Sequence, residues 1–476
     1  MKYVLFLTAY FVLLLGIGLA FSKRMGSLED FFLASRGLSA SWVFISLTAS
    51  WIGATSILVS VDEAYTKGMS SFWIMGVPAV LTVLFFMFFL ARPIRESPIL
   101  TLPDLVESRY GRTVRHLASL LIVWYMILLA SSQMVALGNF LQGFLHTSYL
   151  SSLMIGTAVV LVYSVFGGFR AVVLTDGLQF FFLVVGIFWL FFFLEQSTKI
   201  QDVFQAARLL EKPDYFSFLS DIKRNALIAF SFVLAWLVSP IAWQRIQAAR
   251  TVQKARQGLM AAAGALLLLY GLFVAIGLFS LPQVLRDDVG GSILSSIIVS
   301  RAGVFLGGIL FVSVMAAIMS TMDTAINTGA LSFTHDVYFQ LIPKKKMDQV
   351  VTISRISTLF IAAVAFMVAT MFQDILKTLG LASEIMAEGF FIPGISMIFL
   401  EKKWPAAGFL SLVLGGSFAL VGFLCEIEIL AVGWPTWPYS VPYGLALSLM
   451  GFLLGMLIDR YWRRSAKLRS LRGTSH

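Results

Sequence analysis

The sequence has little of the chemistry that soluble enzymes rely on. Only one of its 476 residues is a cysteine, Cys425, which excludes an internal disulfide and a cysteine-ligated metal cluster. Its four histidines are scattered, one in a loop and the others near the ends of apolar segments or in the tail, so no histidine-ligated metal site is expected. Charged residues make up only 13% of the chain. This is well below the roughly 25% that is usual in soluble domains.

Apolar length is what the sequence has in excess. Hydrophobic residues make up 59% of the chain and the mean hydropathy is +0.88, whereas soluble domains are only about half apolar. At about 20 residues for each spanning helix, the chain has room for a dozen or more spans with short loops. We therefore predict an all-α, polytopic membrane protein in which residues 1–476 form one transmembrane domain, with no room for a separate soluble domain.

The apolar runs predict thirteen transmembrane spans. They cover about 3–21, 41–60, 69–91, 114–143, 150–166, 172–194, 225–243, 257–281, 302–330, 350–371, 379–400, 406–424 and 441–459. The pair Gly167-Gly168 is interpreted as the turn between spans five and six. The polar stretch 195–224 is expected to hold a surface helix, and 460–476 is expected to form a short basic tail in the cytoplasm.

The distribution of positive charge predicts the orientation of the chain. With an external amino terminus, 25 of the 35 Lys and Arg residues fall on the cytoplasmic side. Cytoplasmic loops of membrane proteins are enriched in Lys and Arg, so this asymmetry favours an external amino terminus, a cytoplasmic carboxyl terminus and an odd number of spans. It also explains the net charge of +10 without nucleic acid. We expect a multi-pass protein of the cell membrane, plasma or inner.

One polar stretch interrupts a long apolar segment. Residues 317–328, AIMSTMDTAINT, bring hydroxyl, carboxylate and amide groups together inside span nine. In hydrocarbon each unpaired polar group costs several kcal/mol, so these side chains need partners within the protein. An ion is one such partner. Small and hydroxyl residues also form close seams between membrane helices, and the chemistry of the stretch alone leaves both interpretations open.

Two spans carry features of broken helices. Span two contains the small residues of Trp51-Ile52-Gly53-Ala54, and span seven contains Ser239-Pro240, where proline frees a backbone carbonyl and bends the helix. Paired interruptions in two halves of a chain are typical of inverted-repeat transporters, whose unwound carbonyls coordinate sodium near the bilayer midplane. Either break taken alone is equally compatible with an ordinary packing kink.

Three motifs resemble one known family, the sodium:solute symporters, which include bacterial proline, sialic acid and galactose carriers and animal glucose and iodide carriers. GGFRAVVLTDGLQ at 167–179 resembles the family signature, AAIMSTMDTAINTGALSFTHDVY at 316–338 its ion-binding helix, and PIAWQRIQAAR at 240–250 the inner end of span seven. The resemblance implies a LeuT-type core of five plus five inverted spans over 41–400. It also implies sodium as the coupling ion, no organic cofactor, a small-molecule solute and a functional monomer.

The resemblance also implies a common sodium site. Carried over residue by residue, its ligands are the backbone carbonyls of Ala49, Ile52 and Ala317 and the hydroxyls of Ser320 and Thr321. This set is chemically sensible because a hard cation prefers oxygen ligands, and hydroxyls three and four residues from a carbonyl share one helix face.

A second sodium site is implied by some relatives of this family. Its ligands here would be Asp176, Ser320, Asp323 and Thr324. Two facing carboxylates repel, so either one is protonated or a cation lies between them. The alternative is that Asp176 forms a structural pair with Arg170.

The expected solute pocket lies between the broken helices and spans three, four and eleven. Its candidate residues are Ser56, Trp73, Met75, Gln133, Trp236 and Glu384. The apolar stretch 73–75 argues against a hexose, and the lack of a buried arginine on span four argues against sialic acid. Glu384 and Glu388 lie one helical turn apart on span eleven and would suit a solute with an amine or several hydroxyls; alternatively, one faces water and the other caps a neighbouring helix.

These observations predict a sodium-coupled secondary active symporter that imports a small organic solute by alternating access. The alternative is a solute-sensing membrane protein of the same fold, which would signal through a separate partner because the tail 460–476 is too short for a kinase. An intramembrane enzyme is not expected, because no nucleophile, base and acid form a set. A channel is disfavoured by the occluded midplane site that the motifs imply.

Overall fold

The computed structural model describes residues 4–21, 36–97, 101–145, 147–283, 292–301, 303–342, 347–400 and 402–473. This part of the chain is helical almost throughout and contains no β-strand. Its one extended contact is a parallel bridge between Leu38 and Ala249, in which Leu38 N–H donates to Ala248 O at 3.0 Å and Arg250 N–H donates to Leu38 O at 2.8 Å. This bridge joins two segments that the sequence places on the cytoplasmic side.

The described residues contain twenty α-helices, of which all but the three-residue helix Phe339–Leu341 are numbered in chain order. They are α1 Val4–Phe21, α2 Ala40–Trp51, α3 Ser60–Lys67, α4 Phe72–Phe85, α5 Ala91–Glu96, α6 Leu102–Tyr110, α7 Arg112–Leu145, α8 Tyr149–Ser197, α9 Ile200–Leu209 and α10 Ile222–Leu237. The others are α11 Pro240–Ala248, α12 Val252–Ser280, α13 Ile293–Arg301, α14 Val304–Leu331, α15 Met347–Met371, α16 Ile375–Glu384, α17 Phe391–Phe399, α18 Pro405–Glu426 and α19 Val441–Gly473. Wider π-helical turns occur at Thr55–Val59, Phe86–Leu90, Ser332–Tyr338 and Ile385–Phe390.

The described residues contain nine helical stretches long and apolar enough to cross a membrane, or ten if the bent pair α10 and α11 forms one span. This confirms an all-helical, multi-pass membrane protein. The count of thirteen spans, the core boundaries 41–400 and the inverted repeat stay predictions. The surface helix expected within 195–224 is present as α9, and α19 continues through most of the segment expected to be the basic tail.

Helix α8 differs from the prediction. A turn was expected at Gly167-Gly168, but the helix runs without interruption from Tyr149 to Ser197. A glycine inside a helix costs only about 1 kcal/mol relative to alanine and keeps its N–H donor, whereas proline loses that donor. The glycine pair therefore weakens this helix locally without ending it. The side chain of Arg170 lies outside the described residues, and so does its possible pairing with Asp176.

Both predicted helix breaks are present. Helix α2 ends at Trp51, Ile52 and Gly53 are not helical, and helical structure resumes at Ala54. Helices α10 and α11 are separated by Val238 and Ser239 and are bent by 46° relative to each other. Proline fits the first turn of a helix, where its missing N–H has no intrahelical partner, so Pro240 both ends the first helix and starts the second.

The packing places the two breaks next to the polar part of α14. Helix α14 packs against α7, α8 and α2, while α2 also contacts α11 and α12. Helix α10 packs against α4 and α16. The π-helical turn Ile385–Phe390, which directly follows α16, packs against α18 and α19. The interior of the bundle therefore contains two polar regions, one at α2 and α14 and one beside α18 and α19.

The single cysteine provides a direct test of orientation. Cys425 is half-buried near the end of α18, which is external if the carboxyl terminus is cytoplasmic. We expect a membrane-impermeant maleimide to label it in intact cells and to leave Cys425→Ser unlabelled. In that background, a cysteine replacing the exposed Arg464 of α19 should react only after permeabilisation. The reverse pattern would contradict the predicted orientation.

Candidate functional site

The broken end of α2 leaves backbone carbonyls without helical partners. The last carbonyls of any helix lack the N–H groups of a following turn. Here the regular helical hydrogen bonds end at Ile52, whose N–H donates to Thr48 O at 3.0 Å, and the N–H of Ala54 is diverted to Gln133 Oε1 at 2.9 Å. The carbonyls of Ala49 and Ser50 therefore depend on groups from another helix.

Two hydroxyls of α14 meet these carbonyls. Ser320 Oγ lies 3.0 Å from Ala49 O and 3.0 Å from Ala317 O, and Thr321 Oγ1 donates to Ser50 O at 3.2 Å. Ser320 and Thr321 are 1% and 5% exposed. Because a hydroxyl has one proton, Ser320 can donate to only one of its two carbonyls at a time. The arrangement gathers several neutral oxygen atoms from two helices into one buried place.

Gly53 allows the two helices to approach this closely. A Cβ atom at this position would lie 2.6 Å from Thr321 Oγ1 and 2.5 Å from Gln133 Oε1. Gln133 is fully buried on α7, and its Nε2 also donates to Thr55 Oγ1 at 3.4 Å. The lack of a side chain at Gly53 therefore makes room for Thr321 and Gln133. Gln133 fixes the start of the second half of the broken helix through its hydrogen bonds with Ala54 and Thr55.

The oxygen set fits the predicted common sodium site. It contains only carbonyl and hydroxyl oxygens, which are the ligands that hard cations prefer. Of the predicted ligands, Ala49, Ala317 and Ser320 are in direct contact, and Ile52 is buried at the break. Thr321 contacts the carbonyl of Ser50, which the sequence did not single out. A carbonyl can be recognised as free only once the end of its helix is known.

A buried guanidinium occupies the region of the predicted second sodium site. Arg245 NH2 donates to Asp176 Oδ2 at 3.4 Å and to Thr324 Oγ1 at 3.2 Å, and it also hydrogen-bonds to Ser50 Oγ. Arg245 and Asp176 are both fully buried. Ser46 Oγ donates to the same Asp176 oxygen at 2.7 Å. The structure thus brings Asp176 and Thr324 together around an internal cation.

Asp323 is a second buried carboxylate in this region. Asp323 is fully buried on α14 and interacts electrostatically with Arg245. Arg245 lies just beyond the predicted span seven, 225–243, and is therefore one of the 25 Lys and Arg residues predicted on the cytoplasmic side, but it belongs to α11 and is buried. The apolar neighbours Ile241, Trp243 and Ile246 are a signal that could have indicated burial.

A small cavity of about 50 Å³ adjoins the oxygen set. Ser50 and Thr321 belong to its wall and to the oxygen set at the same time. The remaining lining residues are aromatic, apolar or hydroxyl-bearing: Trp51, Thr55, Ser56, Tyr125, Leu129, Trp236, Ser239, Ile241, Ala242 and Leu379. The described wall contains no charged side chain.

Aromatic rings and hydroxyls give this cavity its character. Trp51 and Trp236 meet edge to face with ring centroids 5.5 Å apart. The indole N–H of Trp51 is buried and has no hydrogen-bond partner among the described residues. Ser56 Oγ donates to Trp51 O at 3.0 Å and accepts a hydrogen bond from Tyr270 OH at 2.8 Å. Trp51 therefore offers an unused donor beside a neutral, partly aromatic cavity.

The predicted solute residues do not all lie at this cavity. Ser56 and Trp236 line it, and Gln133 holds the neighbouring helix end. Trp73 donates its indole N–H to Phe218 O at 3.1 Å, and Met75 is buried outside the described cavity wall. Trp51, Tyr125 and Ser239 are lining residues that the sequence analysis did not assign to the solute.

Glu384 faces away from the central cavity, on the opposite side of α16 from Leu379. Leu379 of the same helix lines the central cavity, whereas Glu384 lines a separate cavity of about 170 Å³ together with Trp434 and Glu426. Five residues along an α-helix correspond to roughly 140° around its axis, which accounts for the two different surroundings.

A model of the sodium:solute symporter family matches residues 31–416. The sodium/glucose cotransporter of Vibrio parahaemolyticus is 26% identical, over 91% of this chain and 85% of that protein. A sodium/proline symporter of Staphylococcus aureus is 24% identical, over 95% of this chain and 90% of that protein.

Two solved structures have a similar fold. A Na+-coupled sialic acid symporter in a substrate-bound outward-open state gives a TM-score of 0.81 at 16% identity, over 96% of this chain and 98% of that one. Mhp1, a nucleobase-cation-symport-1 family transporter in a closed conformation, gives a TM-score of 0.55 at 13% identity, over 91% of this chain and 95% of that one. At these identities the likeness concerns the fold, which is LeuT-like.

The buried pair of Arg245 and Asp176 generates a stability prediction. Removing one member of such a pair leaves an uncompensated buried charge, which costs about 3–5 kcal/mol. Arg245→Gln and Asp176→Asn should each lower the melting temperature of the purified protein, and the double variant should lose less than the sum of the two because neither charge remains. Additive losses in this double-mutant cycle would contradict the pairing.

Proposed function

The chain belongs to the sodium:solute symporter family, and from this premise we propose that it imports a small organic solute together with sodium by alternating access. The observation that supports this most is the meeting of the Ser320 and Thr321 hydroxyls with the carbonyls of Ala49 and Ser50 at the break in α2. Family and relatives are transporters and not enzymes.

Sodium would bind among Ala49, Ile52, Ala317, Ser320 and Thr321, with Ser50 as an added carbonyl. Each hydroxyl now donates its proton to a carbonyl, so a cation entering between them requires the proton to rotate away and the lone pairs of both oxygens to face the ion. The ligands are neutral, so the positive charge of sodium is retained in the site.

Coupling between ion and solute follows from shared residues. Ser50 and Thr321 contact each other at the ion site and also form part of the cavity wall. A cation that holds these two residues together would also define the wall that the solute meets. By thermodynamic linkage, the solute must then favour sodium binding by the same factor as sodium favours solute binding.

A second sodium, with Asp176, Ser320, Asp323 and Thr324 as ligands, stays a separate proposal. The Arg245 guanidinium already contacts Asp176 and Thr324. A second ion at this place would have to displace it. We therefore propose that coupling rests on the common site and that Arg245 provides the fixed positive charge beside it.

The proposed solute is compact and carries no net charge, either as a neutral molecule or as a zwitterion. The described cavity wall has no charged side chain to balance a net charge. The unused indole N–H of Trp51 suits an acceptor oxygen of the solute, while Trp51 and Trp236 suit an apolar part. Ser56 and Gln133 remain proposed polar contacts, and Trp73, Met75 and Glu384 remain proposed only for a solute that extends beyond this cavity.

Alternating access needs a closure that opens on the inner side. The bridge of Leu38 with Ala248 and Arg250 joins the segment before α2 to the segment after α11, the two broken helices. Arg95 strengthens this contact by donating to the carbonyls of Ala249 and Arg250. We propose that these hydrogen bonds separate when the cavity opens to the cytoplasm.

Sodium dependence tests the proposed ion site. Replacing Ser320 and Thr321 together with alanine removes two ligands and should reduce the stabilisation of the purified protein by NaCl relative to KCl and abolish sodium-stimulated uptake. Ser313→Ala is the matched control, because its hydroxyl bonds only to Ile309 O within α14 at 2.8 Å. Unchanged sodium dependence in the double variant would refute the site.

The Trp51 indole tests the proposed solute cavity. A thermal-shift panel of neutral and zwitterionic solutes in NaCl first identifies a ligand. Trp51→Phe keeps a ring but removes the N–H, so the affinity for that ligand should fall about tenfold, as expected for one lost hydrogen bond. Trp73→Phe should have little effect because its N–H bonds to Phe218 O. The opposite ranking would place the solute at Trp73.

A further inference from the structure

A second polar centre lies outside the ion site and the central cavity. Glu384, at the end of α16, and Glu388, in the following π-helical turn, are 3% and 0% exposed. Both face the region where α18 and α19 pack against this segment. Buried carboxylates inside a membrane domain are costly unless they are paired, so the partners of these two groups decide what the centre can do.

The contacts of the two carboxylates are unequal. Ser440 Oγ donates its only proton to Glu384 Oε1. Glu388 reaches the backbone of α19, where a Cβ atom on Gly444 would lie 2.2 Å from Glu388 Oε2. Neither carboxylate oxygen of Glu388 has a hydrogen-bond partner among the described residues. A fully buried acceptor group is therefore left without a hydrogen bond of standard geometry, and the polar groups that interact with it are Glu384 and Ser440.

No described cation compensates the pair. Lys377, on α16, forms its ion pair with Glu426 at 2.5 Å. Within the described residues neither Glu384 nor Glu388 takes part in an ion pair. Two adjacent carboxylates repel unless a proton or a cation is shared between them. This distinguishes the pair from Asp176, whose partner Arg245 belongs to the chain itself.

A cavity leads to one member of the pair, Glu384. The cavity of about 170 Å³ reaches Glu384 and has Glu426, Trp434 and the 432–437 segment on its wall. The Trp434 indole N–H beside it also has no hydrogen-bond partner among the described residues. A hydrated cation entering this cavity would therefore meet Glu384, whereas Glu388 lies behind it and does not line the cavity.

We propose that Glu384, Glu388 and Ser440 bind one hard monovalent cation, sodium, at a site separate from the one at α2 and α14. The donors are all oxygen, which selects alkali and alkaline-earth ions over softer metals. The three side chains supply at most five oxygens, whereas Ca2+ takes about 6–8. One sodium ion, with water from the cavity, would balance the carboxylate of Glu388. Through its ligands it would also link α16 to α19. The site does not depend on which solute is carried.

Direct binding of 22Na+ to the purified full-length protein tests this site. The wild type should bind two ions for each chain. The Ser320→Ala/Thr321→Ala variant should keep one, and adding Glu388→Gln should remove it. Glu426→Gln is the matched control, since it makes the same change on the wall of the same cavity and should leave the number of ions unchanged.

If Glu388→Gln fails to fold, a second variant that keeps both carboxylates still tests the site. In the Ser320→Ala/Thr321→Ala background, Ser440→Ala should weaken 22Na+ binding about tenfold, whereas Ser411→Ala, whose hydroxyl contacts Ser448 at 2.9 Å, should not. Size-exclusion profiles and melting temperatures report folding for every variant.

Three results would overturn the proposal. The first is that the Ser320→Ala/Thr321→Ala variant binds no sodium, which would mean that the common site is the only sodium site of the wild type. The second is an equal number of bound ions with and without Glu388→Gln, as expected if the pair shares a proton. The third is displacement of the remaining 22Na+ by micromolar CaCl2. Failure of the proposed symport function is distinct, because it would appear as no sodium bound at the common site.

Discussion

A helix that stops inside the bilayer leaves carbonyl oxygens that lipid cannot satisfy. In this protein α2 stops at Trp51, and the hydroxyls of Ser320 and Thr321 meet the carbonyls of Ala49 and Ser50. The polar part of α14 has to lie against the break for this reason. The same constraint that determines the packing of the bundle also brings together the oxygen atoms of the proposed sodium site.

The buried carboxylates of the protein are balanced in two different ways. Beside the break, the carboxylate of Asp176 on α8 is balanced by Arg245 from the second broken helix, and Arg245 also hydrogen-bonds to Ser50 of the first broken helix. Beside α18 and α19, the carboxylates of Glu384 and Glu388 have no described cationic partner. A buried pair supplied by the chain is permanent, whereas a carboxylate pair that requires an external ion can respond to its concentration.

Local patterns in the sequence predicted the elements that depend on local chemistry. The breaks at Gly53 and Pro240 and the polar face of α14 follow from the residue types in each segment. Features that depend on distant neighbours were missed. Arg245 looked like a loop charge because its burial is created by α2, α8 and α14, and the Gly167-Gly168 pair looked like a turn although the helix continues through it. The separate surroundings of Leu379 and Glu384 also required the packing of α16 to be known.

Hydrogen–deuterium exchange in NaCl and in KCl of equal ionic strength tests the central claim most directly, because it needs no knowledge of the solute. If sodium joins the end of α2 to α14, it should slow exchange in two peptides far apart in sequence, 49–56 and 317–324, and this protection should be lost when Ser320 and Thr321 are both alanine. Equal exchange in the two salts, or protection of only one of these segments, would contradict a shared ion site.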